Sequence, residues 1–125
     1  MKLLDTSVAI DHLRGVRPAV DLLRELVGGD EPVVSSEVVR FELLAGARDD
    51  ERDALEQFMS VFTWVSVDEG VSRAAGELGR RYRSAFSGID TADYLIAATA
   101  LLLDADLLTL NVRHFPMFKG LGPAY

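Results

Sequence analysis

The sequence predicts an α/β fold, a three-layer α/β/α sandwich with a central parallel sheet, as a single domain over residues 1–125. Three observations lead there. Short apolar runs of strand length alternate with longer segments whose apolar residues recur at helical spacing. The runs are followed by small hydroxyl or acidic residues suited to opening a helix, as in Leu4-Asp5-Thr6-Ser7, Val34-Ser35-Ser36 and Val67-Asp68. No repeat, low-complexity segment or Pro- or Gly/Ser-rich linker divides the 125 residues, a length that supports one hydrophobic core and not two. Alternating strands and helices joined by right-handed crossovers imply a parallel sheet covered on both faces.

Lys2-Leu3-Leu4 reads as the first strand and ends at Asp5, with Thr6 and Ser7 as N-cap candidates for a helix through Val8, Ile10 and Leu13. Ala19, Leu22, Leu23 and Leu26 form a second helical stripe, with Pro18 suited to its start and Gly28-Gly29 to its end. Pro32-Val33-Val34 is β-like, and Ser35-Ser36 can cap a helix running through Val38, Phe41 and Leu44 to Gly46. Leu55, Phe58, Met59 and Phe62 form the next stripe, before a strand at Thr63-Trp64-Val65-Ser66-Val67. Asp68 is expected to cap a helix whose period runs from Val71 to Phe86. Gly76 and Gly79 each cost that helix roughly 1 kcal/mol relative to alanine, and close packing is the expected reason. From Tyr94 to Leu103 only Thr99 interrupts the apolar run, so this helix is expected deep in the domain. Asp106 to Leu110 reads as a buried strand with Asn111 immediately after it, and the tail from Phe115 as loop with at most one short edge strand.

Composition narrows the chemistry. Nearly half of the residues are apolar (49%) and 26% are charged, in short interrupted runs that suit neither a membrane span nor a disordered chain. The N-terminal Met1-Lys2-Leu3-Leu4-Asp5 lacks the apolar core of a signal peptide, so a cytoplasmic protein is expected. With no cysteine there are no disulfides, thiolate nucleophiles or thiolate metal sites, and any metal is expected to be a hard one. A formal charge of −7 argues against broad electrostatic capture of nucleic acid but leaves room for a local site, with Arg40, Arg80, Arg81, Arg83 and Arg113 as candidates for its rim.

The acids fall in a pattern. Function in such sheets gathers at the carboxyl ends of the strands, where Asp5 and Asn111 are expected, and where helices running antiparallel to the strands begin. Asp90 and Asp93 open one of those helices. Capping the helix and answering its dipole explains the pair taken alone. The convergence of Asp5, Asp90, Asp93 and Asn111 from three separated segments points further, to a site. Glu42 has Val38, Val39, Ala45 and Gly46 as its helical neighbours, an apolar face on which a glutamate needs a partner, either the site or an arginine. Counted from Ser36 it lies roughly 9 Å down its helix at about 1.5 Å per residue, below the expected rim. Crowded carboxylates repel and call for a cation. With oxygen ligands that cation is Mg²⁺ or Mn²⁺, able to polarise a phosphoryl oxygen and activate a water.

Four segments, LLDTSVAIDHLRG, SSEVVRFELLAGA, GIDTADYLIAATA and LLTLNVRHF, resemble in order those of the PIN-domain ribonucleases, specifically the VapC-type toxins of bacterial toxin-antitoxin pairs. The resemblance spans nearly the whole chain. It implies that Asp5, Glu42 and Asp93 are the acidic catalytic and metal-site residues, that Asp90 is an additional ligand, and that Thr6 or Ser7, Thr109 and Asn111 support the acids. It also implies Mg²⁺-dependent cleavage of RNA, a homodimer, and inhibition by a small VapB-type antitoxin whose C-terminal arm occupies the site. Relatives often carry an acid where this chain has His114, a departure that argues against a second tightly held metal. Asp11 and His12 read as a solvated helix face, and His114 as either a phosphate contact or an ordinary loop residue.

Two rivals remain at this point. A receiver-like or phosphatase-like phosphoryl-transfer domain also collects aspartates and Mg²⁺ at strand ends. Here, however, Thr6-Ser7 follows Asp5 with no second aspartate two residues on, and Lys2 and Lys119 are the only lysines. The other rival is a catalytically silent module that only pairs with a partner protein.

Overall fold

The computed structural model describes all 125 residues. Four parallel strands, β1 (Lys2–Leu4), β2 (Val33–Ser36), β3 (Thr63–Val65) and β4 (Asp106–Leu108), lie in the order β3-β2-β1-β4. Six helices flank the sheet: α1 (Thr6–Leu13), α2 (Arg17–Val27), α3 (Glu37–Gly46), α4 (Arg52–Met59), α5 (Glu69–Tyr82) and α6 (Thr91–Leu103). The first three strands step outward along the sheet. The chain then returns through α5 and α6 to lay β4 on the far side of β1, in register Lys2 with Asp106 through Leu4 with Leu108. Leu3 and Leu4 point to opposite faces of β1 and are 0% and 1% exposed, so both faces of the sheet are covered as the pattern predicts.

The strand order fixes where the site forms. Strand order reverses at β1, between β2 and β4, and the crevice beyond the carboxyl ends of the strands opens there. The Asp5 backbone N–H donates to the Leu108 carbonyl at 3.0 Å, so the residue leaving β1 is tied to the end of β4. Helix α3 packs against α1 and α6 as well as against α4, and α5 and α6 pack along each other.

Several local expectations need correction. Asp5, rather than Thr6 or Ser7, holds the N-cap position of α1, and Thr6 and Ser7 are its first two residues, which frees both hydroxyls for other partners. Ser36 and Asp68 do cap α3 and α5, accepting from the Val38 and Val71 N–H groups. Strand β4 is a three-residue edge strand, and its exposed Asp106 pairs with Lys2 at 2.9 Å. Helix α6 is buried mainly between Asp93 and Ala100, while Leu101 and Leu102 in its last turn are 48% and 56% exposed. Close packing does not account for Gly76 or Gly79: a Cβ at Gly76 would meet nothing within 4 Å, and one at Gly79 only the Arg83 side chain at 3.8 Å. The tail forms no strand, yet Phe115 is buried and the Ala124 N–H donates to the Thr109 carbonyl at 2.9 Å.

Candidate active site: an acidic cleft

Asp5 is 3% exposed and is held from two sides. Thr109 Oγ1 donates to its Oδ2 at 2.6 Å and Ser7 Oγ donates to the same oxygen at 3.0 Å. Thr109 Oγ1 also accepts the Asn111 N–H at 3.0 Å, and Ser7 Oγ accepts the Leu110 N–H at 3.1 Å. These contacts join the start of α1 to the chain leaving β4, so the support expected of Ser7 and Thr109 falls on Asp5. Both hydroxyls use Oδ2, which leaves Oδ1 for the cleft.

Glu42 reaches the same place. Thr6 Oγ1 donates to its Oε1 at 2.7 Å, and no arginine pairs with it. The distance below the rim is made up laterally, because α3 packs against both α1 and α6, so a position well into α3 still faces the first turns of the other two.

At the start of α6 both readings of the aspartate pair hold together. Asp90 Oδ1 accepts the Asp93 N–H at 2.9 Å and Asp93 Oδ2 accepts the Asp90 N–H at 3.1 Å, a reciprocal capping box with Asp90 as N-cap. Asp90 is exposed, whereas Asp93 is buried with its side chain turned to the cleft. Burial, helped by the neighbouring Asp90 charge, pushes the Asp93 carboxyl up from an ordinary 3.8 to about 6; the Asp90 backbone N–H and His114 act in the opposite direction. His114 Nδ1 lies 3.2 Å from Asp93 Oδ2.

Asp5, Glu42, Asp90, Asp93, Asn111 and His114 line one cleft of about 400 Å³, with Thr6 and Ser7 in its wall. Residues from the ends of β1 and β4, from α3 and from the start of α6 therefore meet at the crevice beside β1. A family model described as PIN domain matches residues 2–118. The chain belongs to the PIN-domain family. It is 58% identical over 125 residues to ribonuclease VapC19 of Mycobacterium tuberculosis, covering 100% of both chains. It is 43% identical to ribonuclease VapC10 of the same organism, over 100% of this chain and 93% of that one. Among solved structures, a toxin-antitoxin complex from Klebsiella pneumoniae superposes with a TM-score of 0.83 over 100% of this chain and 98% of that one, at 23% identity, a likeness of fold.

In this PIN domain the donor set of the cleft suits a hard divalent ion: carboxylate oxygens, hydroxyls and a carboxamide, with one imidazole at the edge. Asp93 supports the fit, since a buried carboxylate that resists ionisation is relieved by a cation. As the side chains stand, no three of the acidic or histidine groups are close enough together to hold an ion between them. Occupancy therefore requires rotamer adjustment, for which Glu42, half-buried and with one hydrogen-bond partner, has freedom.

The cleft contains Asp11, which the sequence reading set aside, and Arg14, which it did not single out. Asp11 and Arg14 both line it, and Asp11 accepts a 2.6 Å hydrogen bond from the Tyr125 hydroxyl. Their signal is present in the sequence: Ser7, Asp11 and Arg14 fall at i, i+4 and i+7, one stripe of α1. His12, one position round, packs instead on Phe58 with ring centroids 5.1 Å apart, and burial lowers its pKa. None of the five arginines proposed for the rim lines the cleft. Arg40 is bound to Glu37 and lies 4.4 Å over the Trp64 ring, and the cleft's own arginine is Arg14.

Proposed function

We propose that this PIN domain is a divalent-metal-dependent endoribonuclease acting as the toxin of a VapBC-type toxin-antitoxin pair. The observation that carries the proposal is the single cleft shared by Asp5, Glu42 and Asp93, three acids that are far apart in sequence. Full-length similarity to proteins named ribonuclease VapC supports the RNA substrate. Similarity to relatives solved as toxin-antitoxin complexes supports a VapB-type antitoxin as partner, with a homodimer as the expected assembly.

Asp5, Glu42 and Asp93, with Asp90 beside them, are the residues that would hold Mg²⁺ or Mn²⁺. Such an ion supplies Lewis acidity toward a phosphodiester oxygen and a neighbouring water. The rest of the work belongs to the chain. Thr109 and Ser7 keep Asp5 in one rotamer by occupying a single carboxylate oxygen. Thr6 holds Glu42 toward the cleft. The capping box fixes Asp93 at the first turn of α6, where the helix dipole favours its charged form. Arg14, which forms no ion pair, is the cation available to a substrate phosphate at the cleft wall.

The test is RNA cleavage mapping in Mg²⁺ against EDTA, with wild type beside Asp93→Asn. Cleavage confined to wild type in Mg²⁺ is expected; equal cleavage in all four arms contradicts the reading.

A further inference from the structure

A second groove, of about 630 Å³, runs along the seam between α5 and α6 and is lined by Gly76, Gly79, Arg80, Arg83, Thr91 and Tyr94 among others. Tyr94 is only 4% exposed, and its hydroxyl is sealed with no hydrogen-bond partner. Arg83 forms no ion pair, and Arg80 has only a 3.8 Å contact to Glu77 while its side chain is 82% exposed. Their place at the end of α5 suits the helix dipole, yet neither has a carboxylate within hydrogen-bond distance to neutralise it. The two glycines leave open space where side chains would otherwise fill the groove.

The groove and the acidic cleft flank the first turn of α6. Asp90 and Asp93 face the cleft, whereas Thr91 and Tyr94 line the groove. One helix, ~10 Å across, separates them, a span that a single-stranded nucleic acid crosses in a few nucleotides. With a chain charge of −7, a phosphate backbone needs locally unpaired cations to approach the acids at all.

We propose that this groove is a second RNA subsite, binding a backbone phosphate that flanks the scissile one. Arg80 and Arg83 pair with its oxygens, above the groove floor that Tyr94 helps to form. The assignment rests on the ribonuclease reading above and adds residues from outside the acidic cleft.

The experiment measures the affinity of a labelled single-stranded RNA dodecamer in EDTA, by fluorescence anisotropy across a salt series. Wild type is compared with the Arg80→Ala/Arg83→Ala double variant and with Tyr94→Phe. The double variant is expected to bind roughly tenfold more weakly, and the slope of log affinity against log salt to fall by about 0.7, the value for one phosphate left unneutralised on a single strand. Tyr94→Phe, which alters a hydroxyl sealed from the groove, is expected to bind as wild type does. Unchanged affinity and slope in the double variant overturn the subsite. Cleavage of the same dodecamer by wild type in Mg²⁺ is scored separately. Its absence refutes the ribonuclease reading, while the binding series still decides the groove.

Discussion

Replacing Asp93 by asparagine should stabilise the metal-free protein, and the structure sets the size and pH window of the effect. The Asp93 carboxyl is pushed from 3.8 to about 6, chiefly by burial. At about 1.4 kcal/mol for each tenfold in the ionisation constant, the charged form costs the folded state up to about 3 kcal/mol. The sign follows from linkage: the folded-state pKa lies above the unfolded one, so the cost is absent below about pH 4, grows as pH rises toward 6 and is complete above it. Asparagine avoids that cost and keeps an oxygen for the Asp90 N–H, but it loses the contact with His114. A net gain of about 1–2 kcal/mol, or roughly 3–8 °C in Tm, is therefore expected at pH 7.5 in EDTA. The assay is urea and thermal unfolding of both proteins at pH 7.5 and pH 4. The variant's advantage should shrink at the lower pH, and it should shrink again at pH 7.5 when Mg²⁺ is added to wild type. An Asp93→Asn protein no more stable than wild type in EDTA at pH 7.5, or an advantage that does not depend on pH, refutes the reasoning.

Thr109→Val removes the 2.6 Å donor to Asp5 and the acceptor of the Asn111 N–H in a fully buried position; a loss of about 2–3 kcal/mol is expected from urea unfolding, with weaker Mg²⁺ stabilisation. Glu42→Gln keeps a side-chain oxygen for Thr6 but removes the charge, so RNA cleavage should fall by roughly two orders of magnitude with little change in Tm. His114→Asp sets a third acid beside Asp93 and Asp90, and should lower Tm in EDTA while enlarging the Mg²⁺-induced rise seen in a thermal-shift titration. Gly76→Ala puts a methyl into open space on α5 and should raise stability by up to about 1 kcal/mol in urea unfolding.

The parts of the fold and site legible in the sequence are those governed by local rules. Periodicity and capping residues place every strand and long helix, and the positions of Asp5, Asp90, Asp93 and Asn111 follow because strand ends and helix starts share one edge of a parallel sheet, whereas Thr109 is singled out only by the family resemblance. What escapes depends on tertiary packing. Glu42 sits too far down its helix by linear counting, and only the packing of α3 against α1 and α6 brings it to the cleft. Asp11 looks solvated because its helix is amphipathic only weakly, yet it faces the site and not the solvent side. Arg40 resembles a rim residue until Glu37 and Trp64 are seen to hold it. The leucines ending α6 show the converse, since hydropathy reports what a segment tolerates and not what covers it.

The C-terminal residues act as a clasp across the molecule. Ala124 is fastened beside the threonine that steadies Asp5, and Tyr125 is fastened to α1 at Asp11. Lys119, exposed just upstream, is a natural point for trypsin to open that clasp. A nick there would spare the sheet while loosening both walls of the cleft, so limited proteolysis offers a way to unsettle the acids without substituting any of them.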